Sequence, residues 1–599
     1  MKRRAYIVLF FFAALWILLI GRLFYISVKL NPHYEELANK NAVKVEQLAP
    51  LRGIIYDSKN RPLAVNQLGF AIGIKPQLSL KSNIAKLDKE LDFLVNEIPS
   101  LNREKLKSRY LKNDSLYEHK IVQVVDFLLH DEIVSSFSKI NLRENLSIYP
   151  VSRRYYPYNE TTSHIVGYVG RSNQEDYADP IAKLTGSIGK VGVEKYYDNI
   201  LKGESGIQLS KVNALNKEIE IIERKAPVSK DMYLSIDIEL QKYISSLFKG
   251  KSGSAIVIDL SDGSILSAVS YPEYDPNKFV AGISHEEWKE LSSDFNHPFT
   301  NKFINGLYPP GSVVKMGVAL SFLDTKEITP STTFDCKGYI EFGGRTFRCW
   351  KHSGHGITNM KKAIRESCDT YFYEGSLKVG IDAISPVLER LGFGTKTDID
   401  LPHEFIGIVP SKEWKMRRYG ESWFHGETVI SSIGQGSFLA TSMQVARHTA
   451  MLATGRNITP HFLQKINNEK VKYKTDDAVF NDIEKRYLPL IREAMMEVSN
   501  NPMGTAYGNT RGSKIKIAGK TGTAQVVSLP QEERVRMKES ELEYYQRSHG
   551  WFTSFGPYKN PKYAVTVLVE HAGGAGPATL ITVDIYNKLY EMGYITALE

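Results

Sequence analysis

The sequence predicts an N-terminal transmembrane helix followed by two soluble α+β domains, and three observations predict it. The chain has 599 residues, beyond the ~250–300 at which one hydrophobic core stops growing, so more than one domain is required. An uncharged apolar run follows directly on Met1-Lys2-Arg3-Arg4. From about Asp231 onward, strand-like runs at both ends of the remaining chain enclose a long helical stretch, the pattern of a sheet completed by distant segments. Hydrophobic residues at 42% and charged residues at 24% are ordinary for a folded protein, which argues against collagen-like or disordered classes. The net charge of +9 is spread along the chain without a Lys/Arg tract or aromatic-basic interleaving, which argues against a nucleic-acid partner.

The anchor is expected over residues 5–28. Ala5 to Ile20 carries no charge, and the apolar run resumes after Gly21-Arg22 as far as Val28. About 20 apolar residues at ~1.5 Å each cross a bilayer, and Arg22 lies near enough to the far end to snorkel. Lys2, Arg3 and Arg4 keep residues 1–4 in the cytoplasm by the positive-inside rule, which places the bulk of the chain on the periplasmic, outer side. A cleaved signal peptide would end in small residues; this run ends in Phe24-Tyr25-Ile26, which favours a retained anchor.

A non-catalytic domain is expected over 45–229. Arg52 to Asp57 and Arg61 to Val65 are apolar runs joined by Ser58-Lys59-Asn60, hence strand, turn, strand. Residues from about 77 to 145 mix polar and apolar positions at helical spacing and suggest an inserted lobe. Glycine-punctuated blocks follow, His164 to Gly170 and Gly189 to Tyr197. The second domain is expected over 230–599. Ser254 to Leu260 and Ser264 to Ser270 flank Ser261-Asp262-Gly263 as a hairpin. Strand-like runs return at Lys514 to Val527, Trp551 to Phe555 and Tyr563 to Glu570, and Thr579 to Met592 has helical spacing.

Three short motifs carry chemistry. Tyr308-Pro309-Pro310-Gly311 cannot be helical whereas the residues from Ser312 to Leu323 can, so Ser312 is expected at a helix start, where free N–H groups and the helix dipole stabilise an oxyanion. Lys315, three residues on, shares its face, and a buried amine beside other cations can take the hydroxyl proton. Alone, Ser-x-x-Lys is more often a capping serine with a surface lysine. Lys520-Thr521-Gly522-Thr523 lies inside a strand-like run, where Gly522 is expected to admit a ligand backbone and Thr521 and Thr523 share one face able to hold a carboxylate. Ser367-Cys368-Asp369 lies between the two in sequence, and its serine is suited to relay a proton. Tyr507-Gly508-Asn509 is read as a turn, and Trp350, Trp423 and Trp551 either line a groove or pack in the core.

In this order the three are the motif set of penicillin-interacting enzymes, and the chain resembles the class B penicillin-binding proteins, in particular their elongation-specific members. The resemblance extends to the anchor, Arg52-Gly53 with Asp57, the run ending at Gly170, Gly192 with Glu194, Gly354-His355-Gly356 and Ser432 to Gly436. It implies a pedestal domain and a transpeptidase domain of the serine β-lactamase type, an antiparallel sheet flanked by helices plus a helical lobe. It implies Ser312 as the nucleophile toward a D-Ala-D-Ala stem peptide or a β-lactam, Lys315 as base, Ser367 as proton relay, and Lys520 as a source of positive potential. Thr521 and Thr523 would bind the carboxylate, and the N–H groups of Ser312 and Thr523 would form the oxyanion hole. Asp369, which stands where many relatives carry asparagine, would be a further substrate-binding residue. Catalysis would need no cofactor. Partners would be the membrane, a multi-span peptidoglycan glycosyltransferase and other elongation proteins, met through residues 45–229. A septal transpeptidase, a β-lactamase or a β-lactam receptor is the alternative, but no Glu-x-x-Leu-Asn run follows Ser367 to deacylate the enzyme.

The motif set does not require the cysteines. All three, Cys336, Cys349 and Cys368, fall in one stretch with His355 between the last two, at gaps of twelve, five and twelve residues. Three thiolates and an imidazole make a tetrahedral structural zinc site, while an oxidising compartment favours a Cys336–Cys349 disulfide instead.

Overall fold

The computed structural model describes residues 2–32, 43–115, 120–212, 218–473, 478–527 and 538–596. Met1 of the expected tail and 116–119 of the expected lobe lie outside the described residues. The chain forms two compact units, one of 1–52, 172–187 and 202–229, the other of 53–171, 188–201 and 230–599. The span expected as a single domain, 45–229, is therefore shared between them.

In the smaller unit the helix Lys2–Phe24 continues through one π turn to Lys29. None of its residues is buried by the protein, and its length and mean hydropathy of 2.5 suit a bilayer crossing. A three-stranded antiparallel sheet joins Val43–Leu48, Gly206–Val212 and Glu218–Lys225, with Val45 opposite Leu209 and Leu209 opposite Glu223.

In the larger unit the strand Pro62–Ile74 is long enough to serve two cores. Its first half joins a sheet with Ile55–Tyr56, Met232–Leu234 and Leu463–Ile466, so residues far apart in sequence close one layer. Leu146–Tyr155 pairs with this strand from Val65 to Ile74, and its second half also pairs with Val122–Leu128, over a separate core of Ile72, Leu87, Leu91, Leu94, Tyr110 and Ile140.

The sheet that carries the site has five antiparallel strands: β1 (Gly253–Asp259), β2 (Ile265–Tyr271), β3 (Ala518–Ala524), β4 (His549–Gly556) and β5 (Tyr563–Val569), in the order β2-β1-β5-β4-β3. Register runs from Lys520 opposite Thr553 to Ala524 opposite His549, and from Gly550 opposite Val569. Helices α1 (Ile238–Leu247), α3 (Ser442–Thr454) and α4 (Gly576–Glu591) pack on it, the helix Asp482–Asn500 packs on β3, and α2 (Lys315–Asp324) packs against other helices. Every residue of β5 is consequently buried, which is why it reads as a continuous apolar run rather than an alternation. Among the described residues β3 is an edge strand, and its open side is where the motif residues gather.

Candidate active site

The approach to Ser312 is held residue by residue. Tyr308 exchanges two backbone hydrogen bonds with Ala440, at 3.0 and 2.9 Å. The indole of Trp551 is fully buried and donates to the Pro309 carbonyl at 3.1 Å, so this tryptophan belongs to the core and props the loop. Trp350 is 55% exposed. Gly311 has φ +56°, donates to the Gly434 carbonyl at 2.9 Å, and a Cβ there would come 2.7 Å from the Thr523 carbonyl oxygen. Only glycine meets both conditions.

Ser312 lies at a helix start, as the sequence leads one to expect: a 3₁₀ turn over Gly311–Val314 runs directly into α2 at Lys315. A 3₁₀ turn at the N-terminus of an α-helix is a common way for the chain to enter it. The Ser312 hydroxyl has no hydrogen-bond partner among the described residues, and its side chain is half-buried.

Lys315 is fully buried and its amine is directed at the Ser367 turn. Nζ lies 2.7 Å from Asp369 Oδ1, 3.0 Å from the Ser367 carbonyl and 3.4 Å from Ser367 Oγ. Ser367 sits at φ +54°, a strained value for a non-glycine residue, between the helix Met360–Arg365 and the helix Asp369–Val379. From β3, Lys520 donates to Ser367 Oγ at 2.9 Å and to the Thr521 carbonyl at 2.8 Å. Burial, and after it the neighbouring Lys315, pushes the Lys520 ammonium well below its usual range, with Asp369 opposing. Burial pushes the Asp369 carboxyl up against the pull of Lys315. Two amines thus reach one buried serine hydroxyl, and a carboxyl pairs with one of them, an arrangement able to move a proton in either direction.

Gly522 differs from expectation. A Cβ there would meet Val313 Cγ1 at 2.9 Å, Trp551 Cβ at 3.1 Å and the Pro310 carbonyl at 3.2 Å. The missing side chain makes room for the protein's own nucleophile turn rather than for a ligand backbone. Two contacts escaped the sequence reading. Thr505 Oγ1 lies 2.6 Å from Thr521 Oγ1, and Gln435 Nε2 donates to the Thr523 carbonyl at 3.0 Å. Gln435 lies in a run quoted for its resemblance only, and nothing local marks Thr505. Tyr507-Gly508-Asn509 forms one α-helical turn, Tyr507–Thr510, instead of a loop turn.

The structure brings Cys336, Cys349, His355 and Cys368 together, all buried, with their ligand atoms within 4.8 Å of one another. The three cysteines are free thiols, so the disulfide alternative is not what the fold adopts. His355 Nδ1 lies 3.5 Å from Cys336 Sγ and 3.6 Å from Cys349 Sγ. Hydrogen bonding with Cys368, ahead of opposing burial, holds the Cys349 thiol far below its usual value; burial opposes charge on His355, but the Cys349 and Cys336 sulfurs raise it. A set of thiolates gathered on one imidazole nitrogen fits a soft divalent cation. The group is bound into the site: Asp369 N–H donates to Cys349 Sγ at 3.3 Å, and Trp350 N–H donates to Asp369 Oδ2 at 2.9 Å.

Residues 253–590 match the family described as the penicillin binding protein transpeptidase domain, and residues 47–234 match the penicillin-binding protein dimerisation domain. The chain is similar to the peptidoglycan D,D-transpeptidase MrdA of Haemophilus influenzae, 35% identical over 92% of this chain and 86% of that protein. It is 33% identical to MrdA of Escherichia coli (strain K12), over 94% of this chain and 89% of that one. Among solved structures it is similar to penicillin-binding protein PBP2 in its complex with MreC from Helicobacter pylori, with a TM-score of 0.85, 42% identity, and coverage of 92% of this chain and 99% of that one.

Proposed function

The chain belongs to the penicillin-binding proteins, and we propose that Ser312, Lys315, Ser367 and Lys520 perform its acyl transfer, with Thr521 and Thr523 receiving the substrate carboxylate. The enzyme is a peptidoglycan D,D-transpeptidase of cell-wall elongation, in line with its MrdA relatives. What carries the assignment of roles is one run of polar contacts, Lys520 to Ser367 to Lys315 to Asp369, beside the turn that presents Ser312.

Ser312 Oγ attacks the carbonyl of the penultimate D-alanine as its proton passes to Lys315. Charge on the carbonyl oxygen is met by the N–H groups of Ser312 and Thr523, a reading supported by the close approach of Gly311 to the Thr523 backbone. The C–N bond then breaks, and the leaving D-alanine amine takes a proton through Ser367, which both lysines reach. An acceptor amine attacks the ester, forms the cross-link and frees Ser312. Lys520 supplies positive potential over the carboxylate while its own ammonium is desolvated.

The test of transfer is the fate of the acyl group. Intact protein given a D-Ala-D-Ala peptide and an amine acceptor is expected to release D-alanine with the amide as main product and hydrolysis, the carboxypeptidase reaction, as the lesser one. Hydrolysed peptide alone at saturating acceptor would contradict the transpeptidase reading.

The four ligands Cys336, Cys349, His355 and Cys368 hold a structural zinc ion. Bound there, zinc would cross-link the strand Thr333–Cys336 to the Ser367 turn, and with four protein ligands its part would be structural. Protein purified without added metal is expected to contain about one equivalent by elemental analysis. Chelation or Cys349→Ser should lower Tm by several degrees, ~1 kcal/mol being worth ~2–4 °C in a sizeable domain, and should lower acylation with it. Zinc at a trace level would refute the assignment.

The N-terminal helix anchors the protein with its short tail in the cytoplasm and the catalytic domain outside, supported by Lys2, Arg3 and Arg4 at its start. Residues 45–229 meet other elongation proteins, including a multi-span glycosyltransferase; the H. pylori relative is solved in complex with MreC.

A further inference from the structure

Next to the nucleophile turn lies an ion cluster that the mechanism above does not use. Glu570 follows the last residue of β5, and both of its carboxylate oxygens are engaged. Tyr308 OH donates to Oε1 at 2.7 Å. Ser252 Oγ donates to Oε2, and Lys302 Nζ, 2% exposed, lies 3.6 Å from Oε2 while donating to the Asn296 carbonyl at 2.7 Å. The Glu570 backbone N–H donates to the Ser252 carbonyl at 2.7 Å, so the carboxylate is anchored to the sheet through main chain and side chain together. Burial acts against its charge, but Lys302, Ser252 and Tyr308 outweigh that and hold the carboxyl below its usual range.

Tyr308 is where this cluster reaches the active site. Its ring packs edge-on to Trp551 and His549, with centroids 6.1 and 5.5 Å away. Four residues later comes Ser312. The turn between them is held by neutral contacts to Ala440, Gly434 and Trp551; Tyr308 to Glu570 is the contact with a charged group, of the kind roughly twice as strong as a neutral hydrogen bond. Glu570 also adjoins Val569, which pairs with Gly550, and Gly550 pairs with Thr523. One carboxylate therefore ties the strand system that receives the substrate carboxylate to the loop that carries the nucleophile.

We propose that Glu570, acting through the Tyr308 hydroxyl, is a positioning residue that sets the placement of Ser312 relative to β3. The proposal rests on Ser312 being the nucleophile. Tyr308→Phe deletes one oxygen and leaves Glu570 its Lys302 and Ser252 partners, so the substitution is mild. A misplacement of about 1 Å costs on the order of 100-fold in rate, and a partial relaxation of the turn about 10-fold.

The experiment is stopped-flow acylation of the full chain by a fluorescent penicillin, resolving the non-covalent binding constant from the acylation rate constant, with the fraction labelled at saturation counting folded molecules. Tyr308→Phe is expected to lower the rate constant about 10-fold or more, with the binding constant and the labelled fraction unchanged. A purely structural role would reduce the labelled fraction and Tm and leave the rate constant of the folded molecules alone; that result, or a rate constant within about two-fold of wild type, would overturn the proposal. Should Tyr308→Phe not fold, Glu570→Gln carries the same measurement with the same two outcomes. Ser312→Ala, measured in parallel, keeps the readings apart: normal acylation by Tyr308→Phe with none by Ser312→Ala removes the positioning role and leaves the nucleophile standing.

Discussion

Ser312→Ala is expected to abolish covalent penicillin labelling while leaving the protein folded. The Ser312 hydroxyl has no partner among the described residues, so its removal strands no donor or acceptor. The turn around it is held instead by Gly311 to Gly434, by Trp551 to Pro309 and by the packing of Val313, which is fully buried. Loss of an unpaired, half-buried hydroxyl should change stability by no more than about 0.5 kcal/mol. Labelling, by contrast, needs a covalent bond that alanine cannot form. Gel fluorescence after incubation with a labelled penicillin, together with a thermal melt, reads both quantities. Residual labelling by a variant with wild-type Tm would place the nucleophile elsewhere.

Lys315→Met should damage both activity and stability, for different reasons that a second substitution separates. Removing a general base costs about 10²–10⁴-fold in the acylation rate. The same substitution leaves Asp369 facing a methyl group where an ammonium stood at 2.7 Å, and breaking a buried pair costs about 3–5 kcal/mol because one charge remains unpaired. Neutralising the carboxylate as well, in Lys315→Met/Asp369→Asn, is expected to recover much of the stability and none of the rate. Acylation restored in the double variant would show that Lys315 acts only as the counter-charge of Asp369. The contrast matters because the amine is paired with Asp369 and makes no hydrogen bond to Ser312 among the described residues.

How far the site was readable depended on the range of each interaction. The anchor, the hairpin Ser254–Ser270 and the runs that became β3, β4 and β5 were legible because apolar periodicity and turn residues act over a few positions. The motifs around Ser312, Ser367 and Lys520 were legible for a related reason: each is a local chemical pattern, and their order was recognisable as a set. The cysteines and His355 were legible as a cluster by spacing, but the choice between a disulfide and separate thiols was not, since it depends on how strand Thr333–Cys336 is laid against Gly356–Asn359.

Errors arose where a local pattern had two physical explanations. A glycine in a strand permits the approach of either a ligand or the protein's own chain, and at Gly522 it is the latter.

By itself the sequence determined that this chain has an apolar span, more than one core, and the residues of a serine acyl-transfer enzyme, because composition and short-range periodicity constrain backbone conformation wherever the segment ends up. Only the tertiary structure decided that Lys315 faces Asp369 across 54 positions, that Lys520 reaches Ser367 across 153, and that Glu570 holds Tyr308 across 262. Such pairings have no local signature, since they depend on how buried elements close against one another, and a side chain's partner is chosen by that closure after its own backbone conformation is already set.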